Sequence, residues 1–423
     1  MKSSLFSNPL QHLTKDKDEQ RNVLLLGSKN VLRNAAINFY AGEVSNTFNA
    51  MIGITPAMLA WMALPFRLVH LALMLVSSVV VDRIKRRTLT YAILTFCTGI
   101  GAVGGLIASW GPPAFRTIGF YTCIYVFFSV LNAILSSFYG PVDSIIECRT
   151  VHNDIRGRFW SVAGMVSGVF GIFFSFIASV ILKRFGMPYG FGICFATGIL
   201  LLGICSILVY HLRELKDLET VQPKKRLSPF KSFAETVRMR QFRIMMPGNI
   251  LRGMGDGCTA YIMLLAVKRM NLPAEYAGYA GMIASASIFV SYVIMAFTLD
   301  RFGVGLVLLI ADTLLVVGLM GTAVTMNPLL FLACFLLLRV MANIEATAVP
   351  LVHYEVVPRE VMGAFSSVRL FLLTITTNVA GTVVGFCLGL LSPVLVFAGS
   401  AIMKLAAGAF FCYGVYSVKR VQQ

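Results

Sequence analysis

The residues best able to do chemistry here are acids and bases set inside long apolar stretches. Glu43 stands in NFYAGEVSNTFNAMIG, among Asn38, Asn46 and Asn49. Arg67 and His70 share FRLVHLAL, Arg252 and Asp256 share RGMGD, and Arg339 and Glu345 share LRVMANIEATAV; Asp312 and Lys404 interrupt two further runs. A charge in apolar surroundings is costly, so each such group pairs, faces a cavity or exchanges a proton. Glu43 is the leading candidate to bind and release a proton, and its alternative is a fixed pair with Arg67. Asp256 is the second proton candidate, although its spacing of one helical turn from Arg252 also lets the two neutralise each other. Arg67 and Arg339 could hold a carboxylate or phosphate with their planar guanidinium forks; for Arg339 a bridge to Glu345 competes. His70, Asn46, Asn132, Arg252 and Glu345 complete the candidate substrate-binding set. The asparagines suit a hydroxylated or amide-bearing solute, or a hydrogen bond from one helix to the next.

The elements that must position these groups are spans of a membrane. Of 423 residues, 57% are hydrophobic and only 13% charged, outside the range of soluble domains. A spanning helix needs about 20 apolar residues. Twelve sections qualify, near 30–52, 56–81, 88–110, 117–142, 160–182, 187–210, 244–267, 275–299, 303–325, 328–352, 362–388 and 392–416. Short alternating polar and apolar segments are missing, so helices are expected and not a barrel. The segment MKSSLFSNPLQHLTKDKDEQRN has no apolar core, so it does not read as a secretory signal and the first span is expected to be retained. The nine cysteines form no CxxC pair and, lying mostly in spans, read as packing residues and not as metal ligands.

A net charge of +17 could suggest nucleic acid, but its distribution points elsewhere. Of 36 Lys and Arg residues, 25 fall at the termini and in every second loop, 5 in the alternate loops, and 6 in spans. Basic loops stay in the cytoplasm, so both termini are expected there, in a multi-pass protein of the cell (inner) membrane. Anionic lipid accounts for the excess charge, and no nucleic-acid partner is expected. The longest polar interruption, 211–243, divides the chain into 1–210, a cytoplasmic linker, and 244–423; it reads as a solvated surface segment.

The two halves repeat. NVLRN at 30–34 matches NILRG at 249–253, 219 residues on, and Asp82-Arg83 matches Asp300-Arg301, 218 residues on. GRFWSV at 157–162 matches GAFSSV at 363–368; each follows a glutamate, Glu147 or Glu355, and a proline, Pro141 or Pro350. The order is kept, which indicates two copies of one six-helix unit.

VVVDRIKRR at 79–87 and TLDRFGVG at 298–305 resemble the loop motif G-x-L-x-D-R-x-G-R-R of the major facilitator superfamily and its weaker second copy. Asp82, Arg83, Arg86 and Arg87 stand at the charged positions. Ser78 and Lys85 replace the glycines, and the second copy keeps Asp300, Arg301 and Gly303 but not the basic pair. The resemblance runs from about residue 28 to 418. It implies an all-α membrane fold of twelve helices in two pseudo-symmetric six-helix bundles. It also implies a cytoplasmic gate of Asp82, Arg83, Arg86, Arg87, Glu147, Asp300 and Arg301, in which a basic residue meets an acid such as Glu147. The expected activity is secondary transport of a small polar or anionic organic solute by alternating access, coupled to protons as a symport. Proton-antiport efflux of a metabolite or drug is the runner-up, though the fifth span lacks the Gly-Pro element of the family's drug antiporters. A receptor or assembly partner on the same fold is the third reading. No P-loop, HExxH or G-x-S-x-G pattern is present, so neither an enzyme nor a cofactor is expected. A small-molecule substrate, protons and the lipid bilayer are the expected partners, for a monomer.

Overall fold

The computed structural model describes residues 17–81, 84, 86–215, 237–356 and 362–422. Apart from two short 3-10 turns, the regular elements among them are α-helices: α1 (Lys17–Tyr40), α2 (Gly42–Ile52), α3 (Pro56–Val81), α4 (Arg87–Cys97), α5 (Ile100–Trp110), α6 (Ile118–Thr150), α7 (Asn153–Phe185), α8 (Tyr189–Tyr210), α9 (Arg240–Asp256), α10 (Ile262–Met270), α11 (Tyr276–Phe302), α12 (Val304–Val324), α13 (Pro328–Val356), α14 (Met362–Leu390) and α15 (Pro393–Gln422).

Eleven segments among the described residues are long and apolar enough to cross a bilayer, and they match the second to twelfth expected spans. The first, expected at 30–52, is the end of α1 followed by α2. It misses the apolar criterion because Arg33, Glu43 and a series of asparagines interrupt it. It is also broken. Gly42 has φ +53°, a conformation that strains any residue carrying a β-carbon, and it starts a new helix. The seventh span is interrupted too: α9 stops at Asp256, a 3-10 turn occupies Thr259–Tyr261, and α10 starts at Ile262. The 219-residue offset that places Asn30 on Asn249 places Gly42 on Tyr261. The two repeats therefore break the same helix at the same place.

Backbone proximity groups the described residues of Met1–Ala41 with Leu68–Lys224, and those of Gly42–Arg67 with Lys225–Gln423. In the first unit, α1 packs on α7 and α8, and α4 on α6 and α8. Asn34 and Asn38 donate to the Ser167 and Gly171 carbonyls of α7 at 3.0 and 3.2 Å, the cross-helix use of asparagine that apolar surroundings favour. A β-carbon on Gly198 would collide with Tyr40, so α8 closes on α1 through a residue without a side chain. In the second unit, α12 packs on α13 and α15, α9 on α14 and α15, and α2 on α10 and α11. The head of the expected linker is not free of the bundle: Leu215 donates its N–H to the Arg149 carbonyl at 2.9 Å, and Arg213 and Asn22 exchange two hydrogen bonds.

Candidate functional site

The second unit holds a buried network of opposite charges. Lys404 on α15, almost fully buried, has its Nζ 2.5 Å from Asp256 Oδ1, 2.8 Å from Glu345 Oε2 and 3.1 Å from Glu345 Oε1. Arg252 Nε lies 2.8 Å from Glu345 Oε1. Its N–H finds no aligned acceptor, so that contact is ionic and not a hydrogen bond. Three of the sequence candidates, Arg252, Asp256 and Glu345, thus come together around a lysine given no role in advance. The expected pairing of Asp256 with Arg252 one turn away is present at 4.0 Å, and Lys404 is the closer partner. The reason is the break after α9, which leaves Asp256 at a helix end facing α15.

Glu43 pairs with Arg339. This differs from both alternative pairings that the sequence offers, Glu43 with Arg67 and Arg339 with Glu345. The separate helix α2 packs toward α11 and brings Glu43, in its first turn, to α13. A carboxylate at a helix N-terminus also sits favourably in the helix dipole. The Arg339 guanidinium lies 4.9 Å from the Phe335 ring, and its Nε is buried with no hydrogen-bond partner among the described residues.

Arg67 takes a different position. Its Nη1 donates to the Asn378 carbonyl at 3.1 Å and to Thr382 Oγ1 at 2.5 Å. A β-carbon on Gly381 would press on the guanidinium, and Tyr261 donates to the Gly381 carbonyl at 2.6 Å. Among the described residues no carboxylate forms an ion pair with Arg67. Asn46, on α2, is half-buried.

In the first unit His70 Nδ1 is 2.9 Å from Ser137 Oγ, and the Asn132 side-chain oxygen is buried without a partner among the described residues. The charged cluster of this unit was not anticipated: buried Lys29 lies 3.1 Å from Asp143, Tyr91 donates to the same carboxylate oxygen, and the Arg33 guanidinium lies 4.8 Å from the Tyr139 ring. The apolar pattern of the fourth span ends at 142, one residue before Asp143, whereas α6 runs on to Thr150.

Of the gate residues, Asp82 and Arg83 lie outside the described residues, as does the side chain of Asp300. Arg86 is exposed at the start of α4. Arg87 pairs with Glu214 at 3.5 Å, and Arg149 shares that carboxylate at 3.0 Å, so the acid recorded opposite Arg87 belongs to the head of the linker. Glu147 is half-buried near the end of α6. Arg301 is exposed, 5.6 Å from the Phe302 ring.

The sequence pattern of the Major Facilitator Superfamily matches residues 30–381. The chain belongs to that superfamily. This facilitator is similar in fold to a mutant of the nucleoside transporter NupG, at 13% identity and a TM-score of 0.71, over 93% of this chain and 99% of that one. A D-xylose-proton symporter gives 14% and 0.68, over 92% and 96%. A bacterial homologue of the human lysosomal transporter Spinster, inward-facing and unoccupied, gives 15% and 0.57, over 98% of each chain. At these identities the likeness concerns fold alone. No curated protein sequence matches the chain. Twelve helices in two six-helix bundles, an integral multi-pass membrane location and a role in secondary transport follow from membership. The superfamily is one of transporters, which bind small molecules and sit in the bilayer.

Proposed function

We propose that this facilitator carries a small polar or anionic organic solute together with a proton, as a symporter, with its termini in the cytoplasm of the cell (inner) membrane. Arg67 is the observation that carries the solute class. A guanidinium at membrane depth is costly without a counter-charge, and its partners in these hydrogen bonds are a carbonyl and a hydroxyl, with no carboxylate paired to it among the described residues. A carboxylate or phosphate on the solute supplies what is missing, through charge-assisted hydrogen bonds. Asn46 offers a neutral contact and Arg252, Arg339 and Glu345 supply charge within the same unit, while Asn132 and His70 are the candidate solute contacts of the first unit.

Proton coupling rests on the broken helices. Interrupted helices in corresponding positions of the two repeats are a pointer to the binding site in transporters of this kind. Glu43 follows the first break and Asp256 precedes the second. Both are acids held by a cation that can be given up, Arg339 or Lys404, and so both can alternate between a paired and a protonated state. The gate residues Asp82, Arg83, Arg86, Arg87, Glu147, Asp300 and Arg301 would restrain the alternation between 1–210 and 244–423.

The test is solute uptake into proteoliposomes under an imposed pH gradient, across carboxylates, phosphates, sugars and nucleosides. Acidic solutes should accumulate and carry protons with them. Arg67→Gln should raise the solute concentration required by roughly 10- to 100-fold, the worth of a charge-assisted contact of about 1.5–3 kcal/mol. Glu43→Gln should abolish gradient-driven accumulation while solute exchange persists. Proton flux with no solute class in the wild type would favour the receptor reading.

A further inference from the structure

One carboxylate of the second unit is unused by that account. Asp312 on α12 is fully buried, and neither of its oxygens has a hydrogen-bond partner among the described residues. Its carboxyl occupies the place where a β-carbon on Gly408 would fall, against the face of α15 that carries Lys404 one turn earlier. The charged groups acting on it come from every side of the network: Lys404 from α15, Glu345 from α13, and Arg252 and Asp256 from α9. From α10, Arg269 instead reaches the Ala323 carbonyl at the far end of α12, about 16 Å along the helix at 1.5 Å per residue. From α11, Arg301 lies exposed beside Phe302.

The charges can be counted. Arg252 and Lys404 contribute two positive charges, and Asp256 and Glu345 two negative ones. The network is neutral with Asp312 uncharged. An ionised Asp312 would add a net negative charge in a place where its oxygens receive no hydrogen bond, which buried carboxylates do not tolerate. A metal cation is a poorer answer than a proton. Such an ion needs several oxygen ligands, and no metal-holding group of three His, Cys, Asp or Glu occurs among the described residues.

We propose that Asp312 is a proton-binding site, and that Lys404 ties release of its proton to the charge on Asp256. Asp256 is the most exposed acid of the network, with 30% of its side chain accessible. When Asp256 takes up a proton, the network gains one positive charge. Lys404 then keeps Glu345 as its one remaining acid, which Arg252 also contacts; Asp312 gives its proton to water, and the new carboxylate restores the balance beside the lysine. The two sites thus exchange one charge, a linkage that works in both directions. The idea deepens the symport reading above, which it uses for its physiological meaning but not for its test.

Infrared spectroscopy of the protein in nanodiscs reads it without any solute. At neutral pH the wild type should show a protonated-carboxyl band that shifts on labelling with 13C-aspartate, and Asp312→Asn should lose it. Asp256→Asn should lose the same band at the same pH, because it removes one acid from the balance. If Asp312→Asn does not fold, Asp312→Glu serves: the aspartate-sensitive band should vanish and a glutamate-sensitive one replace it. A wild type with no such band, or a band that persists when position 312 is changed, overturns the proton site. A band unchanged in Asp256→Asn overturns the linkage. A change of the band with sodium at constant pH would assign the site to that ion and overturn the proposal. Failure of solute-driven proton flux in proteoliposomes while the band behaves as expected would refute symport alone.

Discussion

The two repeats share a fold and treat buried charge differently. The offset between them carries Arg33 onto Arg252, and the 209-residue offset of Pro141 and Pro350 carries Ser136 onto Glu345. In the second unit Arg252 therefore finds an acid, whereas in the first its counterpart lies on the ring of Tyr139. The last helix of the second unit supplies Lys404, while α8, the last of the first, carries no charged residue. What remains among the described residues of the first unit are separate pairs, Lys29 with Asp143 and Glu19 with His152. Near the place that matches it, the second unit has the neutral contact of Asn249 with His353, at 3.3 Å. A closed pair has one stable arrangement. A network of two cations and three acids has several, and the choice among them depends on protons. The difference suggests a first unit that serves as frame and a second that responds to ligand and pH.

The largest expected effect tests the network as a network. Glu345→Gln removes the acid that contacts both Arg252 and Lys404, leaving two buried cations, Asp256, and an Asp312 that can restore the balance only by ionising where no hydrogen bond reaches it. Breaking a buried ion pair from one side costs about 3–5 kcal/mol, and thermal unfolding in detergent should show a loss of that order. A loss below about 1 kcal/mol would mean that the second unit compensates as easily as the surface does, and the contrast between the units would fail.

The closed pair predicts a smaller and reversible loss. Asp143→Asn keeps an acceptor for Tyr91 and for Lys29 but removes the charge, so destabilisation of about 1–3 kcal/mol is expected. Adding Lys29→Met should restore most of it, since a buried pair replaced by apolar groups is often neutral. The same double replacement at Lys404 and Glu345 should not recover, because Arg252 and Asp256 stay behind at 4.0 Å. A double-mutant cycle on each pair measures that difference.

Much of this was legible in the sequence, and the missing part has a physical cause. Span length and apolarity give eleven helices within a few residues, because the bilayer sets their length. The repeat and the Asp-Arg motif suffice for the family. The identity of the buried acids and bases was legible too, since a charge in an apolar run is conspicuous. Their partners were not. Glu43 turned from Arg67 to Arg339 because Gly42 starts a new helix, and Asp256 turned to Lys404 because α9 stops there; neither break follows from hydropathy. Asp143 was overlooked because a helix that leaves the hydrocarbon keeps its hydrogen bonds and continues, while its apolar pattern ends.

The smallest effect is expected at the loop end of the first unit, where Glu214 receives Arg87 and Arg149. This carboxylate ties the head of the 211–243 segment to the bundle by charge, beside the Arg213–Asp18 bridge and the backbone hydrogen bonds of Arg213 and Leu215. The three side chains are 20–26% accessible, so water and salt screen the pairs. Exposed bridges contribute about 0.2–1 kcal/mol, and Glu214→Ala should cost no more than that in thermal unfolding. The loss should shrink further when ionic strength rises from about 0.01 M to 1 M, as the screening length falls from about 30 Å to 3 Å. Glu345→Gln, inside the second unit, should keep its full effect over the same range. A Glu214→Ala variant as damaging as Glu345→Gln, and equally indifferent to salt, would place a buried network in the first unit as well and remove the distinction between frame and responder.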